Sequence, residues 1–177
     1  MTEPGATGNR RSDQVLSPGF AEGLGELDDQ EVRRRRDLSR AEREYLSLLR
    51  RLLQGRIEIL RAERERRRSG AAAGSVIARL PDILSEGTRG PSRGEAPMAS
   101  LSADELAMAR RSVERLVSDA HISNVEALSD RDLAQALERL EAEERSVSDT
   151  RAEVMAVEDG LQDEMKRRLR AELGPAS

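Results

Sequence analysis

Two sets of polar residues recur 101 positions apart: Ser47 with Ser148, Arg50 with Arg151, Glu58 with Asp159, and Gln54 with Met155. Arg43 falls where Glu144 stands. Their separations of three and four residues place each set along one side of a helix. A guanidinium offers a planar fork of donors to phosphate or another planar acceptor, a carboxylate accepts, and Ser or Gln completes a network. This is chemistry for holding a polar ligand. If the two helices pack antiparallel, a pseudo-twofold axis relates the copies, and the surface suits a ligand that is itself twofold symmetric.

Catalysis has no comparable support. With no Cys there is no thiol nucleophile, disulfide framework or Cys-based zinc site, and the single His121 leaves little for a histidine-based metal site. His121 reads as a surface or capping group in a turn at 121–124. No nucleophile with its base, phosphate loop or metal constellation is present. The expectation is a binding protein, not an enzyme, with no cofactor.

The elements that must position these residues are helices. The chain of 177 residues is 36% charged and has only two aromatics, Phe20 and Tyr45, a composition of long helices and coiled coils and not of an aromatic-filled globular core. Residues 27–70 hold 14 Arg against 9 acidic residues, and 101–173 hold 11 basic against 18 acidic. A basic and an acidic helix in one chain attract each other across a seam. Leu133, Leu140, Val147, Val154 and Leu161 recur every seven residues as one seam line. The companion line, Leu137, Glu144, Arg151, Glu158 and Met165, has three charged residues in its middle. Such an interruption forfeits burial and asks for a compensating partner: the opposite helix or a polar ligand. In the first helix Leu46, Leu53 and Leu60 match Val147, Val154 and Leu161.

These patterns predict an all-α fold, an antiparallel coiled-coil hairpin of two long helices with short accessory helices. Residues 1–26, rich in Gly, Pro, Ser and Thr, read as a disordered tail. Residues 27–69 hold the first long helix, starting near Asp28 or Asp29 and stopping before Ser69-Gly70. Residues 70–100 read as a linker with a short helical piece at 75–85. Residues 101–173 hold an accessory helix, opened by Ser102 and Glu105, and a second long helix capped by Ser129. No run of about 18 apolar residues exists to span a bilayer, and the first residues lack the apolar core of a signal peptide, so the protein is expected to be cytoplasmic.

The spacing E-x3-S-x2-R-x3-Q-x3-D, once on each helix of an antiparallel coiled coil, resembles the ligand signature of RsiG, the actinobacterial anti-sigma factor that binds cyclic di-GMP. In the second helix Glu144, Ser148, Arg151 and Asp159 fit, with Met155 in the Gln place. In the first, Ser47, Arg50 and Gln54 fit, Glu58 stands for Asp, and Arg43 replaces Glu. The runs LLQGRIEILRAE and LERLEAEERSVSDTRAEV are also similar to the family. The resemblance implies that these ten residues bind cyclic di-GMP, and that the partner is a WhiG-class sigma factor governing late sporulation genes, held while the nucleotide is bound. The residue types suit such a ligand: Arg can address guanine O6 and N7 or phosphate, and Asp or Glu can accept from guanine N1 and N2. Guanidinium planes also stack on purine faces.

Two features remain. Tyr45, Leu48, Leu49, Leu52 and Ile59 form a further apolar line that reads either as an exposed partner-binding strip or as a face covered by 75–85 or by the 104–120 helix. The Arg33–Arg36 run could bind nucleic acid through phosphates, but the negative total charge and the lack of interleaved aromatics favour a solvated or sigma-contacting role. No direct DNA binding is expected. The competing class is a coiled-coil adaptor or scaffold in which charged seam residues pair with each other.

Overall fold

The computed structural model describes residues 10–70, 101–119 and 125–173. The predicted helical piece at 75–85, the rest of the 71–100 linker, the turn at 121–124 and residues 1–9 lie outside the described residues. What is described is all α, with no strand. The helices are α1 (Arg10–Val15), α2 (Asp29–Ser69), α3 (Ala103–Asp119) and α4 (Asp130–Leu173), with single 3-10 turns at Leu24–Glu26 and Val125–Ala127.

Each long element starts where its sequence supplies an acceptor for orphan backbone donors. Asp28 Oδ1 accepts the Glu31 amide at 2.7 Å to open α2. Ser102 and Glu105 exchange bonds at 3.2 and 2.8 Å as a capping box for α3. Ser129 Oγ accepts the Asp132 amide at 3.1 Å to open α4. Helix α2 ends where Gly70 takes φ +66°, a left-handed conformation that suits Gly.

The chain divides into two compact units, one made of Met1–Leu46 with Asp149–Ser177 and the other of Ser47–Ser148. In the first unit Asp29 meets Arg168 at 2.5 Å and Arg43 meets Glu158 at 2.8 Å, so the segments of α2 and α4 run antiparallel. Its buried apolar residues include Val15, Phe20, Val32, Leu46, Val154 and Leu161. In the second unit Arg61 meets Glu141 and Arg67 meets Asp130, each at 2.8 Å, which again sets α2 antiparallel to α4. Leu53, Leu60, Leu133 and Leu140 are fully buried there, as are Ala109 and, nearly so, Val113 of α3. Each fully buried Leu stabilises the fold by about 1.5–3 kcal/mol relative to exposure. The predicted seam residues Leu46, Leu53, Leu60, Leu133, Leu140, Val147, Val154 and Leu161 are all buried.

The offset of 101 residues reaches beyond the seam. Asp28 and Ser129, the two cap residues, are related by it, and so are the 3-10 turns that precede them. In the first unit Arg168 donates to the carbonyls of Leu24 (2.6 Å) and Leu27 (2.8 Å) and pairs with Asp29. In the second, Arg67 donates to Val125 (3.1 Å) and Leu128 (2.8 Å) and pairs with Asp130. Every one of these partners is shifted by the same 101 positions. One side chain at the end of a long helix thus satisfies the carbonyls of the turn that begins the antiparallel one, a requirement that any buried turn must meet somehow.

The reading of residues 1–26 as a disordered tail is corrected for 10–26. Helix α1 packs on α2, with Val15, Ser12 and Phe20 buried. Fully buried Glu42 accepts from Arg11 Nε at 2.6 Å and from Ser12 Oγ. The Arg11 guanidinium lies 5.9 Å from the Tyr45 ring centroid, and that of Arg35 lies 5.4 Å from the centroid of Phe20. The order comes from two buried apolar side chains, Val15 and Phe20, and a few long-range polar and cation–π contacts, too few to leave an apolar periodicity in a short Gly-rich segment. Among the described residues no helix is long and apolar enough to cross a membrane.

Candidate ligand-binding site

Both motif copies contribute to one cluster in the second unit, centred on Glu144. Its Oε1 accepts from Gln54 Nε2 at 3.0 Å and from Ser148 Oγ at 3.1 Å, and Arg50 Nη1 stands 3.9 Å away. Helix α2 supplies Arg50 and Gln54, four residues apart, and α4 supplies Glu144 and Ser148 with the same separation, so each pair occupies one helix face. All four side chains are partly exposed. The Nε of Arg50 is buried and has no hydrogen-bond partner among the described residues. A buried donor left in this way carries a desolvation cost that an incoming acceptor would relieve. Ser47 and Glu58 are half-buried on α2, and Glu58 lies 3.4 Å from Arg61.

The remaining motif positions belong to the first unit. Arg43 Nε stands 2.8 Å from Glu158 Oε2, and Gln162 Nε2 donates to Glu158 Oε1 at 3.1 Å. Glu158 is 5% exposed, so this carboxylate is held by charge and hydrogen bonding away from water. Arg151 and Met155 are half-buried, whereas Asp159 is exposed. The charge reversal at Arg43 therefore has a structural counterpart, because Arg43 answers the seam residue Glu158. Asp159, beside it on α4, stands outside this pair.

The apolar line on α2 is not an exposed strip. Tyr45 and Leu48 are each 7% exposed, and Leu49, Leu52 and Ile59 are half-buried. For Tyr45 the cover includes Arg11 of α1, an element absent from the alternatives weighed on sequence. Its removal from water ends the argument for Tyr45 and Leu48 as a ready partner surface.

Sequence reasoning also missed a recurring clamp, Glu-x2-Arg-Arg. It occurs at Glu31, Arg34 and Arg35, at Glu63, Arg66 and Arg67, and at Glu164, Arg167 and Arg168. One carboxylate takes both guanidinium groups, since positions three and four residues on lie on its own face. Hydrogen bonds from Arg34 and then Arg35 hold the Glu31 carboxyl down at about 2. Those from Arg66, and more weakly Arg67, take Glu63 to about 2 against an opposing burial penalty. Arg167 and Arg168 do the same for Glu164. The second Arg of each clamp also reaches loop carbonyls, Arg35 binding Phe20 O at 2.6 Å as Arg67 and Arg168 bind theirs. The thrice-repeated spacing was a visible signal, although its targets were not.

Among the described residues no group of three or more His, Cys, Asp or Glu side chains is set to hold a metal ion. The Glu144 cluster presents acceptors and donors together between two helices, chemistry suited to a polar ligand. Comparison with curated proteins finds no match for this chain. Residues 18–84 do match the family model described as RsiG-like, so over α2 and its approach the chain is similar to that family.

Proposed function

We propose that the protein is an anti-sigma factor that sequesters a WhiG-class sigma factor under the control of cyclic di-GMP, acting by stoichiometric binding and not by catalysis. The observation that carries this reading is the convergence of Arg50, Gln54 and Ser148, from both motif copies, on Glu144. These groups fit a guanine nucleotide chemically. The carboxylate accepts from N1 and N2 of guanine, and Arg50 donates to O6 and N7 or to phosphate. Gln54 and Ser148, which now satisfy Glu144, are neutral donors that can turn to the ligand as the carboxylate does. Arg151, with Ser47, Glu58 and Asp159, completes the set by resemblance, while Arg43 and Met155 make the two copies unequal. The action belongs to the cytoplasm, with sporulation genes as its target and no contact to DNA or membrane.

The second reading is a coiled-coil scaffold, favoured by the direct pairing of Arg43 with Glu158 across the helices. Calorimetric titration of cyclic di-GMP separates the two, run with and without a WhiG-class sigma factor. The anti-sigma reading expects binding that Arg50→Ala and Arg151→Ala each weaken by an order of magnitude or more, roughly the worth of a charged hydrogen bond. No heat under either condition overturns it and leaves the scaffold. Binding that survives both substitutions removes the site from these residues.

A further inference from the structure

The first unit contains an open cleft of about 440 Å³ between the beginning of α2 and the end of α4. That is within the size range of ligand pockets. None of the ten motif positions lines it. Its lining combines apolar surface with cations. Val32 is fully buried at its base, and Leu169 stands 56% exposed beside Met165. Arg33 is exposed and has no ion-pair partner among the described residues. Among the described residues Arg36 pairs with its neighbour Asp37 alone, and its buried Nε has no hydrogen-bond partner there.

The second unit shows that this chemistry is not needed to build the helix pair. Shifted by 101 residues, Arg33 becomes Ala134, Arg36 becomes Leu137 and Arg40 becomes Glu141. Leu137 is buried at 3% exposure, so the position of Arg36 is one where the fold accepts a core leucine. A cation with a buried donor that no described residue satisfies stands where the second unit has a core leucine, at a cost in desolvation, next to an uncovered Leu.

We propose that this cleft docks an acidic amphipathic helical segment of a protein partner. Apolar side chains of that segment would cover Met165 and Leu169 while its carboxylates meet Arg33 and Arg36, the mode in which helices enter grooves and acidic motifs meet Arg clusters. A nucleic acid backbone fits less well, because it would leave the apolar surface of Met165 and Leu169 wet. The inference is independent of the nucleotide reading, because it uses none of the motif residues.

The test is fluorescence anisotropy on the full chain with a labelled peptide carrying Leu at i, i+3, i+4 and i+7 and Glu between them. A second peptide has Lys in place of every Glu. The acidic peptide should bind roughly tenfold or more tighter than the basic one, as charge complementarity requires. Arg36→Leu, the residue the second unit already carries, should weaken it about tenfold with unchanged far-ultraviolet circular dichroism, and Leu169→Ser should weaken it as well. Arg145→Glu, at an exposed position of α4 outside the cleft, should leave binding unaltered. Equal affinity for both peptides, no binding, or indifference to Arg36→Leu overturns the proposal. So does displacement of the peptide by a short DNA duplex, which would assign the cleft to phosphates. Dimerisation of the chain alone that Arg36→Leu abolishes also overturns it, in favour of a second copy as occupant.

Discussion

At one seam position the first unit carries Arg36 and the second carries Leu137; at the next, the first carries Arg43 and the second Glu144. Around these positions the units are built alike. Each has a capped start to a long helix, a 3-10 turn before that cap, and an Arg from the antiparallel helix holding the turn's carbonyls. The features the units share are those that backbone satisfaction and burial demand of any helix pair. The features on which they differ are charges that the fold does not require. The second unit gathers neutral donors from both helices on Glu144, with Arg50 3.9 Å away. The first pairs Arg43 with Glu158 and leaves Arg33 and Arg36 beside an open cleft. Duplication supplies an internal control: where one copy is apolar and the other ionic, stability alone does not explain the ion.

The comparison is broken most forcefully at the seam. Leu53 and Val154 are equivalent by the 101-residue offset, and both are fully buried. Leu53→Ala should cost about 2–5 kcal/mol in chemical denaturation and Val154→Ala less, because fewer buried methyl groups are lost. Equal costs would mean that the units pack differently despite their shared pattern. A smaller effect is expected at Arg43→Ala, which leaves Glu158 buried with only Gln162, a loss of about 1–3 kcal/mol by the same measurement. No change there would show that Glu158 is already solvated.

Acid sharpens the comparison further. Glu31 and Glu164 lie in the first unit and Glu63 in the second, and all three carboxyls sit at about 2 when folded, against an ordinary 4.5. A depressed folded value means that the stabilisation is fully present above pH 4.5 and is lost as pH falls from there toward 2. Glu63 is 2% exposed, whereas Glu164, whose partner Arg168 holds the Leu24–Glu26 turn, is 11% exposed and more open to solvent screening. Amide hydrogen exchange across that pH range should therefore rise first around Val125–Ala127, the turn that Arg67 holds. Earlier loosening at Leu24–Glu26 would reverse the ranking. The smallest expected effect is at the caps, where Ser129→Ala should cost about 1 kcal/mol in thermal denaturation and Asp28→Ala a similar amount. A large difference between them would show that one long helix depends on its cap and the other on packing.

Much of the fold was legible. The heptad line Leu133 to Leu161, its counterpart in α2, and the caps Asp28, Ser102 and Ser129 lie as their spacing required, because a period of seven and a local acceptor act within a few turns of one helix. The candidate site was legible as a set of residue types and illegible as a set of contacts. Sequence placed Arg43 with the ligand-binding residues, and the structure pairs it with Glu158, 115 positions away. It left Tyr45 as part of either an exposed strip or a covered face, and the structure sets Arg11 over its ring. Helix α1 escaped notice for the same reason, since Glu42 selects Arg11 and Ser12 across a loop with no periodic trace.

By itself the sequence determined which residues form long helices, where those helices start, which stripe they bury, and that two copies of one pattern exist, all consequences of local geometry and of the exclusion of apolar surface from water. Only the tertiary structure decided which polar groups meet: Gln54 with Glu144, Arg43 with Glu158, and Arg36 with no partner for its buried Nε among the described residues. In a chain this rich in Arg and Glu, almost any ion pair is possible on paper, and selection among them depends on distances and desolvation that exist only once the helices are packed.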